Sequence, residues 1–138
     1  MLHGPMTDAD DRVLPPSDQK RSEMSDKAGA MPRYINELNE VGGLSGTDIA
    51  NITDVSKATV SRWKAGAVKP QPRTQLVLSD LYFVVGRLRE YYSADEIRMW
   101  LYARHPQLAG ERAIDLINRN RSEDVLRVID RLDAEVYL

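Results

Sequence analysis

The sequence predicts an all-α protein: an N-terminal helix-turn-helix unit joined by a long helix to a small C-terminal helical unit. Three observations predict it. From Pro32 onward apolar residues recur three and four positions apart, the period of a helix with one buried face. No stretch alternates apolar and polar residues for long, as a half-buried strand does. Helix boundaries are written repeatedly, with Ser45, Ser56, Ser93 and Ser122 ahead of periodic runs and Gly42-Gly43 and Gly66 behind them.

Residues 1–30 are polar, carry Pro5, Pro15 and Pro16, and read as disordered or loosely attached. An expression remnant or an early start codon gives the same pattern, and Met24 and Met31 each qualify as a start. Residues 31–73 form the helix-turn-helix unit. Pro32 suits a first helical turn, and Tyr34, Ile35, Leu38 and Val41 make one apolar face before Gly42-Gly43 ends it. Ser45 caps the next helix, with Asp48 three residues on, and Ile49, Ala50 and Ile52 point inward. Ala50 is small where a second helix crosses at close range. Thr53-Asp54-Val55 is the turn, with Asp54 where many such motifs have Gly; a positive φ there is tolerated by Asp better than by most residues. Ser56 caps the second helix, which buries Val60 and Trp63 and stops at Gly66.

Pro70 and Pro72 make a stiff connection to residues 74–138. A helix is expected from about Arg73 to Tyr92, apolar around most of its circumference and therefore covered on more than one side. Tyr82, Phe83 and Val85 are a candidate dimer seam, or part of the core. Ser93-Ala94-Asp95-Glu96 is a capping box opening a helix with Ile97, Trp100 and Leu101 inward. It ends near His105-Pro106, where His105 caps carbonyls or is solvated. Gln107–Gly110 is read as a loop. A short helix at about Arg112–Asn118 turns Ile114 and Ile117 inward, and Ser122 caps a last helix striped by Val125, Val128, Ile129, Leu132 and Val136.

The second helix of the pair carries the functional expectation. Ser56, Lys57, Ala58, Ser61, Arg62 and Lys64 face outward, with the first few nearest the base edges of a DNA major groove. Between Val55 and Arg73 there are five basic residues, Lys57, Arg62, Lys64, Lys69 and Arg73, and no acidic one. Lys64, Lys69 and Arg73 are placed on phosphates. The chain's net charge of −2 divides unevenly: residues 1–30 hold four basic and six acidic groups, 31–73 six and four, and 74–138 nine and eleven. The positive stretch coincides with the reading helix, and phosphate attraction is local.

With no Cys and two His, disulfides, thiolate metal sites and Cys nucleophiles are excluded. No Ser/His/Asp set, metal-ligand cluster or phosphate loop is present, so no enzyme and no cofactor are expected. No apolar run reaches membrane-spanning length and the N-terminus is not a signal peptide; a cytoplasmic protein without membrane contact follows. Residues 74–138 contain nine Arg and no Lys, a pattern of interfaces or of GC-rich codon usage. The sequence stops at Val136-Tyr137-Leu138, directly after an amphipathic helix, an apolar end that either folds back on the core or is covered by a partner.

The order His105-Pro106, Leu108-Ala109-Gly110, Ala113-Ile114-Asp115-Leu116-Ile117, Ser122, Val125-Leu126, Ile129-Asp130-Arg131-Leu132 and Val136-Tyr137-Leu138 resembles the toxin-binding domain of the Xre/MbcA/ParS antitoxin group. With the Xre-like helix-turn-helix the resemblance covers residues 32–138. Glu135 stands where the group has Gly before its final Val-aromatic pair, and Ala113 and Ile114 where Pro is common.

The resemblance implies a type II antitoxin that binds a RES-domain toxin, an enzyme destroying NAD⁺ by attack at the nicotinamide ribose bond. In such pairs the antitoxin's C-terminal segment blocks the toxin's active site and its helix-turn-helix represses the shared operon. Arg127, Asp130, Arg131, Glu135, Val136, Tyr137 and Leu138 are then the toxin-binding residues. Tyr137 stands in for an aromatic ring of NAD⁺, and a carboxylate of Glu135 or of the chain end for phosphate. The partners expected are that toxin, double-stranded operator DNA and a second copy of the chain within a larger toxin–antitoxin complex. The alternative is a stand-alone dimeric helix-turn-helix transcriptional regulator.

Overall fold

The computed structural model describes residues 30–136, the last of them by its backbone alone. The reading of 1–30 as disordered falls almost wholly outside the described residues, as do Tyr137 and Leu138. The described chain is mostly helical. Helix α1 spans 30–40, α2 Gly46–Thr53, α3 Lys57–Ala65, α4 Pro72–Leu88, α5 Ala94–Tyr102, α6 Ala113–Asn118 and α7 Ser122–Val136. Between α5 and α6, strand β1 (Arg104–His105) pairs antiparallel with β2 (Glu111–Arg112), and the 3₁₀ turn Pro106–Leu108 lies between them.

The helix ends are those their residues dictate. Ser45 and Ser93 each form a complete capping box, with Asp48 and Glu96 accepting the cap's backbone N–H. Ser56 accepts from Thr59 N at 3.1 Å, and Gly66 closes α3 at φ 76. Asp54 closes α2 in the left-handed region at φ 59, the conformation that makes Asp a workable substitute for Gly. At Gly43 (φ 65) a Cβ would lie 2.6 Å from the Ala94 carbonyl oxygen, so glycine is required where the α1–α2 connection crosses the start of α5.

Every described helix contributes to one buried cluster. Ile35 and Leu38 of α1, Ile49 of α2, Val60 and Trp63 of α3, Leu78, Leu81 and Leu88 of α4, Ile97 and Leu101 of α5, Leu116 and Ile117 of α6 and Ile129 of α7 are all buried. Helix α4 is its spine, packing on α2, α6 and α7. This explains why its apolar residues cover so much of its circumference.

Three boundaries differ from the expectation. Helix α4 ends at Leu88, not near Tyr92: Tyr91 and Tyr92 N–H both turn back on the Leu88 carbonyl, reversing the chain ahead of the Ser93 cap. The apolar rhythm of Tyr91-Tyr92 continues the pattern but packs a turn. The Gln107–Gly110 loop is the tip of a two-residue hairpin, too short to show alternation. Helix α7 begins at Ser122 itself rather than one residue later, after Asn120 has turned the chain at φ 61. Val85 is core at 3% exposure, whereas Phe83 is 55% exposed and Tyr82 is partly covered by stacking on Tyr34 at 4.3 Å. Of the three seam candidates only Phe83 stands free.

Candidate nucleic-acid and partner interfaces

Helix α3 presents Lys57, Ala58, Ser61, Arg62 and Lys64 to solvent, with Ser56 exposed at its cap and Val60 and Trp63 turned into the core. Positions 57 and 61, and 58 and 62, are one turn apart, so four of these residues share a surface. The Ser56 hydroxyl is engaged in capping and lies 2.9 Å from Thr59 Oγ1. Lys64 Nζ donates to Asn39 Oδ1 on α1 at 2.9 Å. Arg73 is exposed at the start of α4 and its Nη2 donates to the Asn118 carbonyl at 3.3 Å, so this cation also ties α4 to the end of α6. Lys69 is exposed beside Val68 and Thr59, on a groove of about 450 Å³ that Arg73 also lines. No Asp or Glu other than Asp54 lines that groove.

A buried carboxylate fixes this surface to the rest of the molecule. Asp48, 5% exposed, accepts Nε of Arg98 at 3.0 Å and its Nη2 at 3.1 Å. It also accepts Tyr102 Oη at 2.7 Å and the backbone N–H of Ser45 at 2.9 Å. Burial alone would raise its pKa; the hydrogen bonds from Arg98, Tyr102 and Ser45 outweigh burial and lower it from 3.8 to about 2. Burial, together with the hydrogen bond to Asp48, pushes the Tyr102 hydroxyl up to about 12. A residue legible only as a helix cap thus joins α2 to α5. The sole hint was that Arg98 and Tyr102 lie one turn apart on a helix; their partner is about fifty residues away, beyond any local pattern.

The C-terminal residues separate into two flanks of α7. On one, Asp130 accepts from Arg87 of α4 at 3.0 Å, and Asp133 accepts from the same guanidinium. This holds the Arg87 pKa above its ordinary value. On the other, Arg127 pairs with Asp124 at 2.6 Å, and exposed Arg131 makes no ion pair among the described residues. Arg121, Arg127 and Arg131 line a groove of about 240 Å³ with Leu108, Glu111 and Asp124. This basic groove between α7 and the hairpin escaped the sequence reading because Arg121 lies in the connection ahead of the helix. Glu135 is exposed, and Val136 is the last residue of α7. His105 Nε2 lies 2.8 Å from the Trp100 carbonyl, the carbonyl-capping alternative. Among the described residues no cluster of His, Cys, Asp or Glu could hold a metal ion, and no helix is long and apolar enough to cross a membrane.

No family model matches the chain. Over 96 residues it is 29% identical to the mycobacterial cidal antitoxin MbcA of Mycobacterium tuberculosis and of Mycobacterium bovis, covering 70% of this chain and 85% of the relative. Over 84 residues it is 31% identical to a probable mycobacterial cidal antitoxin of M. tuberculosis, covering 60% of this chain and 70% of that one. The fold matches a chain in the crystal structure of the M. tuberculosis MbcT–MbcA toxin–antitoxin complex. The TM-score is 0.68 at 27% identity, over 78% of this chain and 96% of that chain.

Proposed function

The chain belongs to the mycobacterial cidal antitoxin family, and from that membership we propose that it neutralises a RES-domain, NAD⁺-degrading toxin and represses its own operon. The observation that carries the reading is the match to a toxin–antitoxin complex over 96% of the matched chain's length. In this reading residues 31–73 read DNA and 74–138 bind the toxin. The terminal helix delivers Glu135, Val136, Tyr137 and Leu138 to the NAD⁺ pocket, while Arg127, Asp130 and Arg131 hold the pocket's rim. A helix already ordered by Arg87 loses less entropy on docking than a free segment would.

Lys57, Ala58, Ser61 and Arg62 enter the major groove, and Lys64, Lys69 and Arg73 meet phosphates. What supports this is the exposure of all seven residues and the absence of acidic groups from Val55 to Arg73. One reading helix contacts few phosphates, so two copies on successive major grooves, about 34 Å apart, are required for tight binding.

Co-expression tests the reading. The tagged chain should co-purify with the RES-domain toxin and restore growth to cells expressing it, and should retard its own promoter DNA in a gel. A chain that purifies alone and fails to rescue growth, yet binds DNA, would instead be a stand-alone regulator.

A further inference from the structure

Helix α4 carries a glycine that the monomer does not use. Gly86 lies inside α4, three residues before its cap, where glycine costs helix stability. It has no positive φ, and a Cβ added there meets nothing within 4 Å. One turn earlier stands Phe83, 55% exposed, and two turns before that Leu76, 40% exposed. Beside them runs a groove of about 250 Å³ lined by Glu37 of α1, by Val41 just past its end, by Tyr82, Phe83, Gly86 and Arg87 of α4 and by its cap Arg89. Its wall is mostly apolar. A protruding aromatic ring and an open notch therefore sit side by side on one surface.

We infer that this face is the seam between two copies of the chain, with Phe83 of each copy seated over Gly86 of the other. A two-fold contact applies the same patch to itself, so it needs a knob and a hole on one surface, and Phe83 and Gly86 supply them. Charge points to the same occupant. Glu37 and Arg89 border the groove, and neither makes an ion pair among the described residues. Pairing across a two-fold axis sets each Glu37 against the partner copy's Arg89, giving two ion pairs that no single copy forms. Neither α3 nor α7 contributes to the groove, so the reading helix and the terminal helix stay available when it is covered. The inference rests on the two-copy requirement of the proposed function and assigns its location.

Sedimentation equilibrium of the full chain at micromolar concentration tests it. The wild type should sediment at twice the 15.6 kDa chain mass. Phe83→Ala and Gly86→Leu should each weaken association at least tenfold. Gly86→Leu should do so while melting no lower than wild type, which separates a lost seam from a lost fold. Glu37→Arg should dissociate the dimer and Glu37→Arg with Arg89→Glu should restore it. A wild type that stays monomeric, free and on promoter DNA, overturns both the seam and the two-copy reading. A dimer indifferent to Phe83, Gly86 and the charge exchange overturns the seam alone. A groove protected from solvent only when toxin is added makes the toxin its occupant and refutes the second copy.

Discussion

Replacing Asp48 by Asn keeps the shape of the side chain and removes its charge. The carboxyl is held at about 2 against an ordinary 3.8, and at ~1.4 kcal/mol per pH unit this corresponds to about 2.5 kcal/mol of folding stability. Arg98 is half exposed on its side, so water recovers part of its solvation when the carboxylate goes. The loss therefore stays near 2 kcal/mol, below the roughly 3–5 kcal/mol of a fully buried broken pair. The folded carboxyl is the more acidic one, so its contribution is complete above about pH 4 and is lost as pH falls through about 2. Urea unfolding followed by circular dichroism should show Asp48→Asn about 2 kcal/mol weaker than wild type at pH 7, with the gap closing toward pH 2. A gap within the ~0.5 kcal/mol of an ordinary surface change, or one indifferent to acid, would refute the reasoning.

Gly43→Ala should destabilise by about 2–4 kcal/mol in the same assay, since it combines a left-handed backbone with a clash against the Ala94 carbonyl. On promoter DNA, Arg62→Ala should lose ~1–3 kcal/mol of discrimination against single-base changes, measured by competitive gel shift. Lys69→Ala should weaken binding to all sequences alike and reduce the salt slope by about one; unchanged binding by both variants sinks this reading face. Removing Val136–Leu138 should abolish growth rescue while thermal melts and promoter binding stay near wild type. Rescue that persists would remove the tail from the toxin pocket, and a collapsed melt would place it in the core.

What could be read from sequence was local. Ser45 with Asp48, Ser56, Gly66 and Ser93 with Glu96 act within four residues, and each sits where its spacing put it. The inward faces of α2 and α3 followed from period alone, with Ile49, Ile52, Val60 and Trp63 all buried. What escaped depends on partners far along the chain. Asp48 with Arg98 and Tyr102, Arg87 with Asp130 and Asp133, and Asn118 Nδ2 with the Ile52 carbonyl each span more than forty residues. No periodicity encodes such pairs. The β1–β2 hairpin was hidden for the opposite reason, its strands being two residues long. Phe83 and Val85 looked alike on paper, yet the fold buries Val85 beside Gly42 and leaves Phe83 in solvent.

The grip of α5 and α6 on α2 bears on modularity. Antitoxins that pair a DNA-reading part with a toxin-binding part invite exchange of one part between systems. Here α2 supplies the carboxylate that Arg98 and Tyr102 hold and the carbonyl that Asn118 holds, and Ile49 and Ile52 belong to the same core as Leu116 and Ile117. A foreign residue 31–73 graft without an acid at position 48 would leave the partly buried Tyr102 hydroxyl and the Arg98 guanidinium without their partner. The outward side chains of α3 are exposed and free to vary, whereas the inward ones of α2 are not. Chimeras of this antitoxin should therefore exchange only the outward side chains of α3 rather than the whole segment before the Pro70–Pro72 connection.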